Sequence, residues 1–195
     1  MIITVGRQHG SNGHDIARLL AQELNMKCYD KEIVDEAAAN SHFSKEIFDS
    51  YDEKRVSAYV IPTPHYVGMN EGFRLNMQVA AAQFDAMRNL ADKGNCIFVG
   101  RCADFVLRDT DARLLRVFAS APFETRIQRK MDQEQLSHSR AVRLVRRMDR
   151  QRSKYREHYT GLSWNDPAGW DLMLDTSVLS IEQAAEEVAA RYLAL

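Results

Sequence analysis

The sequence is poor in cysteine, in proline and in net charge. Its 195 residues hold three cysteines, Cys28, Cys96 and Cys102, and no CxxC pair. So odd and scattered a set supports neither a disulfide framework nor a structural zinc site. Lysine and arginine number 26 against 27 acids, a net charge of −1. The molecule as a whole therefore has no attraction for nucleic acid or acidic membranes. No run approaches the roughly 18 apolar residues of a membrane span. The apolar opening, Met1 to Val5, lacks the basic start of a secretory leader and meets Gly6 at once. A cytoplasmic location is the expectation. The six histidines show no HExxH-type spacing, and no serine elbow is present. What remains is 45% hydrophobic and 27% charged residues, the make-up of one ordinary globular domain.

Strand-like and helix-like segments alternate along the chain. Ile2 to Val5 is β-branched and bounded by Gly6. Ile16, Ala17, Leu19, Leu20 and Leu24 recur at helical spacing. Met26 to Tyr29 reads as a short strand and Asp30 to Ala39 as a helix. Residues 76–92 predict a long helix stopped at Gly94. Apolar runs at Cys96–Val99, Leu114–Ala119 and Asp171–Asp175 read as strands. Helices are expected over 123–135 after Pro122, over 139–157 and over 180–193. Such alternation predicts an α/β fold with a parallel sheet covered on both faces. The segment 40–75 is irregular, with Pro62, Pro64 and Gly68. It carries Phe43, Phe48, Tyr51, Tyr59, Tyr66 and Phe73, which form either a small core or a stacking surface.

The first stretch with chemical content is Gly10-Ser11-Asn12-Gly13-His14-Asp15, between the first strand and the first helix. Glycines there let backbone N–H groups turn inward on phosphate oxygens, and the helix start adds positive potential. Laid on the phosphate-loop pattern GxxxxGK[ST], the window is Gln8 to Asp15. It departs from the pattern at Gln8, at His14 in place of lysine and at Asp15 in place of Ser/Thr. A plain glycine turn with Asp15 on the helix dipole is the other reading. Gly100-Arg101 follows an apolar strand, where ligands of open α/β sheets bind. An arginine there can grip a phosphate with paired N–H bonds or brace the loop through a carboxylate. Asp30, ending the second strand, can face the same cleft or cap a helix.

Between Arg126 and Arg156 lie eleven cations against Asp132, Glu134 and Asp149, a net of +8. Arg143, Arg146, Arg147 and Arg150 fall on one helical face by the three-and-four rule. Arginines so arranged suit bidentate phosphate contact. A nucleic-acid stripe, with Tyr155, Tyr159 and Trp164 stacking on bases, is the competing use of this segment.

Taken together, IITVGRQHGSNGHDIA at 2–17, YDKE at 29–32, VGRCAD at 99–104, MDRQR at 148–152 with YTG at 159–161, and Trp170-Asp171 through Asp175-Thr176-Ser177 resemble the cytidylate kinase-like family. That family is a branch of the P-loop nucleoside-monophosphate kinases, often with the same lysine-free loop. The resemblance covers roughly residues 2–192. It implies a three-layer αβα P-loop kinase fold with an inserted acceptor lobe and an arginine-rich helical lid. The core would be 1–29, 76–129 and 166–195, the acceptor lobe about 30–75 and the lid about 130–165. It implies ATP as donor with Mg²⁺, and a nucleoside monophosphate of CMP type as acceptor. Gly10, Ser11, Asn12, Gly13, His14 and Asp15 would hold the ATP phosphates, with Asp15 also on the metal. Asp30, Arg101 and Asp104 would bind the acceptor, and Arg146, Asp149 and Arg152 would act in catalysis. Partners would be small nucleotides, with no membrane and no nucleic acid. A nucleotide-binding sensor with little or no turnover is the alternative, motivated by the missing lysine.

Overall fold

The computed structural model describes residues 1–51 and 71–195, with side chains through Phe48 and from Arg74 onward. Five strands are present among them: β1 (Ile2–Arg7), β2 (Lys27–Tyr29), β3 (Cys96–Val99), β4 (Leu114–Ser120) and β5 (Leu172–Asp175). Every pairing is parallel, in the order β2-β3-β1-β4-β5. Near-continuous apolar runs explain this, because a strand covered on both faces has no polar side to show. Ile2, Ile3 and Val5 of β1 and all four residues of β3 are buried.

The helices are α1 (Gly13–Glu23), α2 (Glu32–Ala39), α3 (Lys45–Tyr51), α4 (Glu71–Ala91), α5 (Ala103–Val106), α6 (Phe123–Glu134), α7 (His138–Thr160) and α8 (Ile181–Leu193). One face of the sheet, Ile3, Val5, Ile97, Val99, Leu115, Val117 and Leu174, packs on Ile16, Ala17 and Leu20 of α1 and Ala184, Ala185 and Val188 of α8. The opposite face, Ile2, Cys96 and Phe98, packs on α2, α3, α4 and α5 through Ile33, Phe48, Met87 and Val106. The result is the expected three-layer α/β arrangement.

Phe43 and Phe48 belong to that second layer and meet edge to face at 6.2 Å, so these two are core residues. The side chains of Tyr51, Tyr59, Tyr66 and Phe73, with Pro62, Pro64 and Gly68, lie outside the described residues. The helix expected from Asp30 begins at Glu32, because Asp30 is held elsewhere. The expected boundary between core and lid, at 129/130, falls inside α6. Helix α7 runs unbroken for 23 residues to Gly161, whose φ of 68° ends it in the left-handed turn that glycine favours. Among the described residues no helix is long and apolar enough to cross a membrane.

Candidate active site

The sheet order places β1 in the centre. The chain leaves β1 towards one edge and leaves β4 towards the other. Between their carboxyl ends lies the crevice in which open α/β sheets bind ligands. Gln8 sits in it. Its N–H donates to Ala119 O at 3.0 Å, and its side-chain oxygen accepts from Ala121 N–H at 3.1 Å. The departure from glycine at this position thus ties the loop to β4.

From Gln8 the chain turns through Gly10, φ 83°, and Asn12, φ 57°, into α1. A Cβ on Gly10 would lie 2.9 Å from Arg126 O, and one on Gly13 would lie 2.6 Å from Arg7 Cβ. Neither position admits a side chain. Ser11 is buried and bonds back to Gln8 O through both N–H and Oγ. The N–H groups of Gly10, Asn12, Gly13, His14 and Asp15 make no hydrogen bond to another described residue. Several are the unsatisfied donors of a helix start.

The loop's carbonyls are taken by arginines. Arg126 donates to His9 O at 3.1 Å, Arg129 to Gly10 O at 3.2 Å and Arg152 to Arg7 O at 3.1 Å. Asp149 accepts from His9 N–H at 2.8 Å and pairs with Arg126 at 2.6 Å. Arg129 is fixed in turn by Thr176, through its hydroxyl at 3.0 Å and its carbonyl. With these carbonyls held by cations, the loop's remaining N–H groups make no hydrogen bond among the described residues. Burial, and then the charges of Arg152, Lys130, Arg126 and Arg7, push the His9 imidazole down to about 3, so it is neutral at physiological pH.

His14, at the pattern's lysine position, is paired with a carboxylate outside the loop. Its Nδ1 lies 3.3 Å from Asp30 Oδ2, and Asp30 Oδ1 accepts from Arg101 at 2.9 Å. Arg101 also donates to the Asp30 carbonyl. Burial works against the Asp30 charge, but the His14 hydrogen bond and the Arg101 and Arg7 charges outweigh it and hold the carboxyl far below its ordinary range. Gly100, Arg101 and Cys102 follow β3 in succession with φ of 78°, 51° and 56°. Two consecutive non-glycine residues in the left-handed region store strain of roughly 1–3 kcal/mol each, a cost met mostly at functional positions. Arg101 is 4% exposed.

Asp104, from the first turn of α5, pairs with Arg156 at 2.8 and 2.9 Å, both side chains being buried. The Arg156 guanidinium lies 4.6 Å from the Trp170 ring centre. Arg101, Asp104, Arg152 and Arg156 line one cavity of about 30 Å³ with Thr4 and Trp170. That is the room of about one water molecule. Thr4 Oγ1, Arg156 Nε and Trp170 Nε1 are buried there and find no hydrogen-bond partner among the described residues.

The structure therefore joins Asp30 to Arg101 and His14, and Asp149 and Arg152 to the glycine loop. Asp104 lies nearby but is occupied by Arg156. Arg146 lies apart, its guanidinium 5.3 Å from the Phe123 ring centre. Asp15 is exposed in the first turn of α1. Asp175 accepts from Ser177 N–H and Oγ, while Ser180 caps α8 through a capping box with Gln183. Sequence reasoning left Gln8, Arg126, Arg129 and Thr176 without a site role. The available signal was Arg126 and Arg129 sharing one face of the first turns after Pro122. The stacking use of Tyr155 and Trp164 is corrected: both are buried, Trp164 edge to face on Phe118 at 5.4 Å. Tyr159 is engaged through its hydroxyl by Asn76.

Comparison with known proteins gives the family and the fold. Residues 2–178 match the model of the cytidylate kinase-like family, and the chain belongs to that family. A cytidylate kinase of Methanopyrus kandleri is 26% identical over 186 residues, covering 91% of this chain and 85% of that protein. An uncharacterized protein from Eubacterium ventriosum superposes with a TM-score of 0.73 at 24% identity, covering 98% and 97% of the two chains. A shikimate kinase from Bacteroides thetaiotaomicron gives 0.56 at 10% identity, over 100% and 99%. The fold is that of the P-loop kinases.

Proposed function

We propose that this member of the cytidylate kinase-like family transfers a phosphoryl group from ATP to a nucleoside monophosphate of CMP type. The observation that carries the reading is the pair of facing devices across the sheet's carboxyl edge. One is the set of N–H groups of Gly10 and of Asn12 to Asp15, unbonded among the described residues, with neighbouring carbonyls held by arginines. The other is Arg101 at the end of β3. The chain His14–Asp30–Arg101 links them.

In this reading these N–H groups receive the donor phosphates, and Arg126, Arg129 and Arg152 supply the positive charge that a loop lysine supplies elsewhere. Asp149 sets the angle of Arg126 against the loop. Arg101 holds the acceptor phosphate, with Asp30 fixing its guanidinium. Such chemistry needs positioning and charge neutralisation rather than a covalent intermediate. Mg²⁺ is usually held by one or two carboxylates together with substrate phosphates. In this reading Asp15, exposed in the first turn of α1, would share the ion, which would neutralise charge on the transferring group.

The direct test is a single-turnover assay with ATP, Mg²⁺ and a panel of monophosphates. Transfer to CMP ahead of other acceptors is the expected result. Arg101→Ala should lower kcat/KM for the acceptor by about 10²-fold while leaving ATP affinity within about twofold. Equal loss on both sides removes the acceptor role. A second reading is a nucleotide sensor without turnover. The observation favouring it is that His14 is paired with Asp30, outside the loop. Tight ATP binding with no transfer to any monophosphate selects it.

A further inference from the structure

The eleven cations of 126–156 do not share one fate. Arg126, Arg129, Arg152 and Arg156 are held by the glycine loop, Thr176, Asp149 and Asp104. Lys130 pairs with Glu134. Arg140, Arg143, Arg147 and Arg150 have no carboxylate partner among the described residues and are all exposed. They lie three and four residues apart on one face of α7. The opposite face carries Ala141, Val145 and Arg152. Each of the four therefore repels the next. The first turn of α7 also holds no acid, although a helix start favours negative charge.

These side chains line a groove of about 770 Å³ together with Arg146, Lys154, Gln151, Leu136 and Leu144. That volume lies within the range of small-molecule sites, roughly 300–1,000 Å³. Among the described lining residues the one carboxylate, Glu134, is engaged by Lys130. Among the described residues no aromatic side chain lines it, which gives no platform on which nucleic-acid bases would stack. Nor do the described residues supply it with the aromatic anchors common in protein–protein binding. Paired N–H donors in rows suit the oxygens of successive phosphate groups.

We infer that the outer face of α7 is a second anion site, which takes a small ligand bearing a chain of about three phosphates. Helix α7 carries this groove on one side and, through Asp149 and Arg152, the glycine loop on the other. An occupant of the groove would thus relieve repulsion in the helix that the loop leans on. Two sources share this chemistry, a nucleoside triphosphate and an inorganic phosphate chain.

The test is calorimetric titration of the intact chain with inorganic tripolyphosphate at fixed ionic strength, alongside Arg143→Glu/Arg147→Glu. The wild type should show a binding event that the double variant weakens by about a hundredfold, with ATP binding at the loop unchanged. Arg143→Gln/Arg147→Gln should show an intermediate loss, and circular dichroism of both variants should match the wild type. Tighter binding of ATP or CTP than of tripolyphosphate in this groove identifies a nucleotide as the ligand, and equal binding identifies the phosphate chain itself. Both support the site. An isotherm unchanged in the double variant overturns it, as does equal displacement by sulfate. Loss of all ATP binding in the double variant overturns it too, since the groove would then belong to the donor site. Preferential capture of a DNA duplex, with affinity falling steeply in salt, also overturns it. None of these readouts requires turnover, so a failed kinase assay leaves the inference standing.

Discussion

The two faces of α7 carry the same residue type to opposite ends. On the inner face, Arg152 and Arg156 are fixed by a loop carbonyl and a buried carboxylate. On the outer face, Arg140, Arg143, Arg147 and Arg150 are exposed and have no carboxylate partner among the described residues. The difference lies not in the side chain but in what it costs to remove it. A buried cation taken from its partner leaves an uncompensated charge in a low dielectric, whereas an exposed one leaves only water.

The sharpest break in that comparison is Arg156→Ala. Asp104 would remain buried and unpaired, and the Trp170 contact would go. We expect a loss of about 3–5 kcal/mol by chemical denaturation. Replacing both partners by apolar residues of similar size should recover much of it, and no recovery would mean that packing on Trp170, not charge, is the main term. Arg126→Ala, which strands Asp149 against the loop, should cost about 2–3 kcal/mol and weaken ATP binding as well. A variant that loses stability but keeps full ATP affinity would detach Arg126 from the donor site.

A pH series gives the next effect in size. His9 is depressed from 6.5 to about 3 in the folded chain. Between those values the unfolded chain binds a proton that the folded chain does not, so stability falls as pH drops through this window and is level above it. Asp30, also depressed, adds a loss only below the ordinary carboxylate range. The melting temperature of His9→Gln should therefore fall less than that of the wild type between about pH 6 and 4. Parallel curves would show that His9 is not the group involved. The smallest effect is expected on the outer face, where Arg147→Ala should shift stability by no more than about 0.5 kcal/mol. A larger destabilisation would reveal a partner for this arginine and weaken the case for a vacant anion site.

The fold was legible because periodicity is local. Each strand and helix declares itself within a few residues, and alternation of the two types leaves few arrangements of the sheet. The glycine loop was legible for the same reason, as a strand, two glycines and a helix in immediate succession. The loop's electrostatics were not. Arg126 and Arg129 looked like members of a charge run until α6 and α7 folded against the loop. Asp104, three positions after Arg101, is claimed by Arg156, which lies 52 positions away. Tyr155 and Trp164, polar-edged aromatics in a basic stretch, are packed rather than presented.

By itself the sequence determined the order of elements, the place of the loop and the absence of its lysine. These depend on contacts between neighbours along the chain and on which residues water rejects. Only the tertiary structure decided which arginines guard the loop, which one braces Asp104, and which are left over. A charge run specifies no partner until distant carbonyls and carboxylates are brought within about 3 Å.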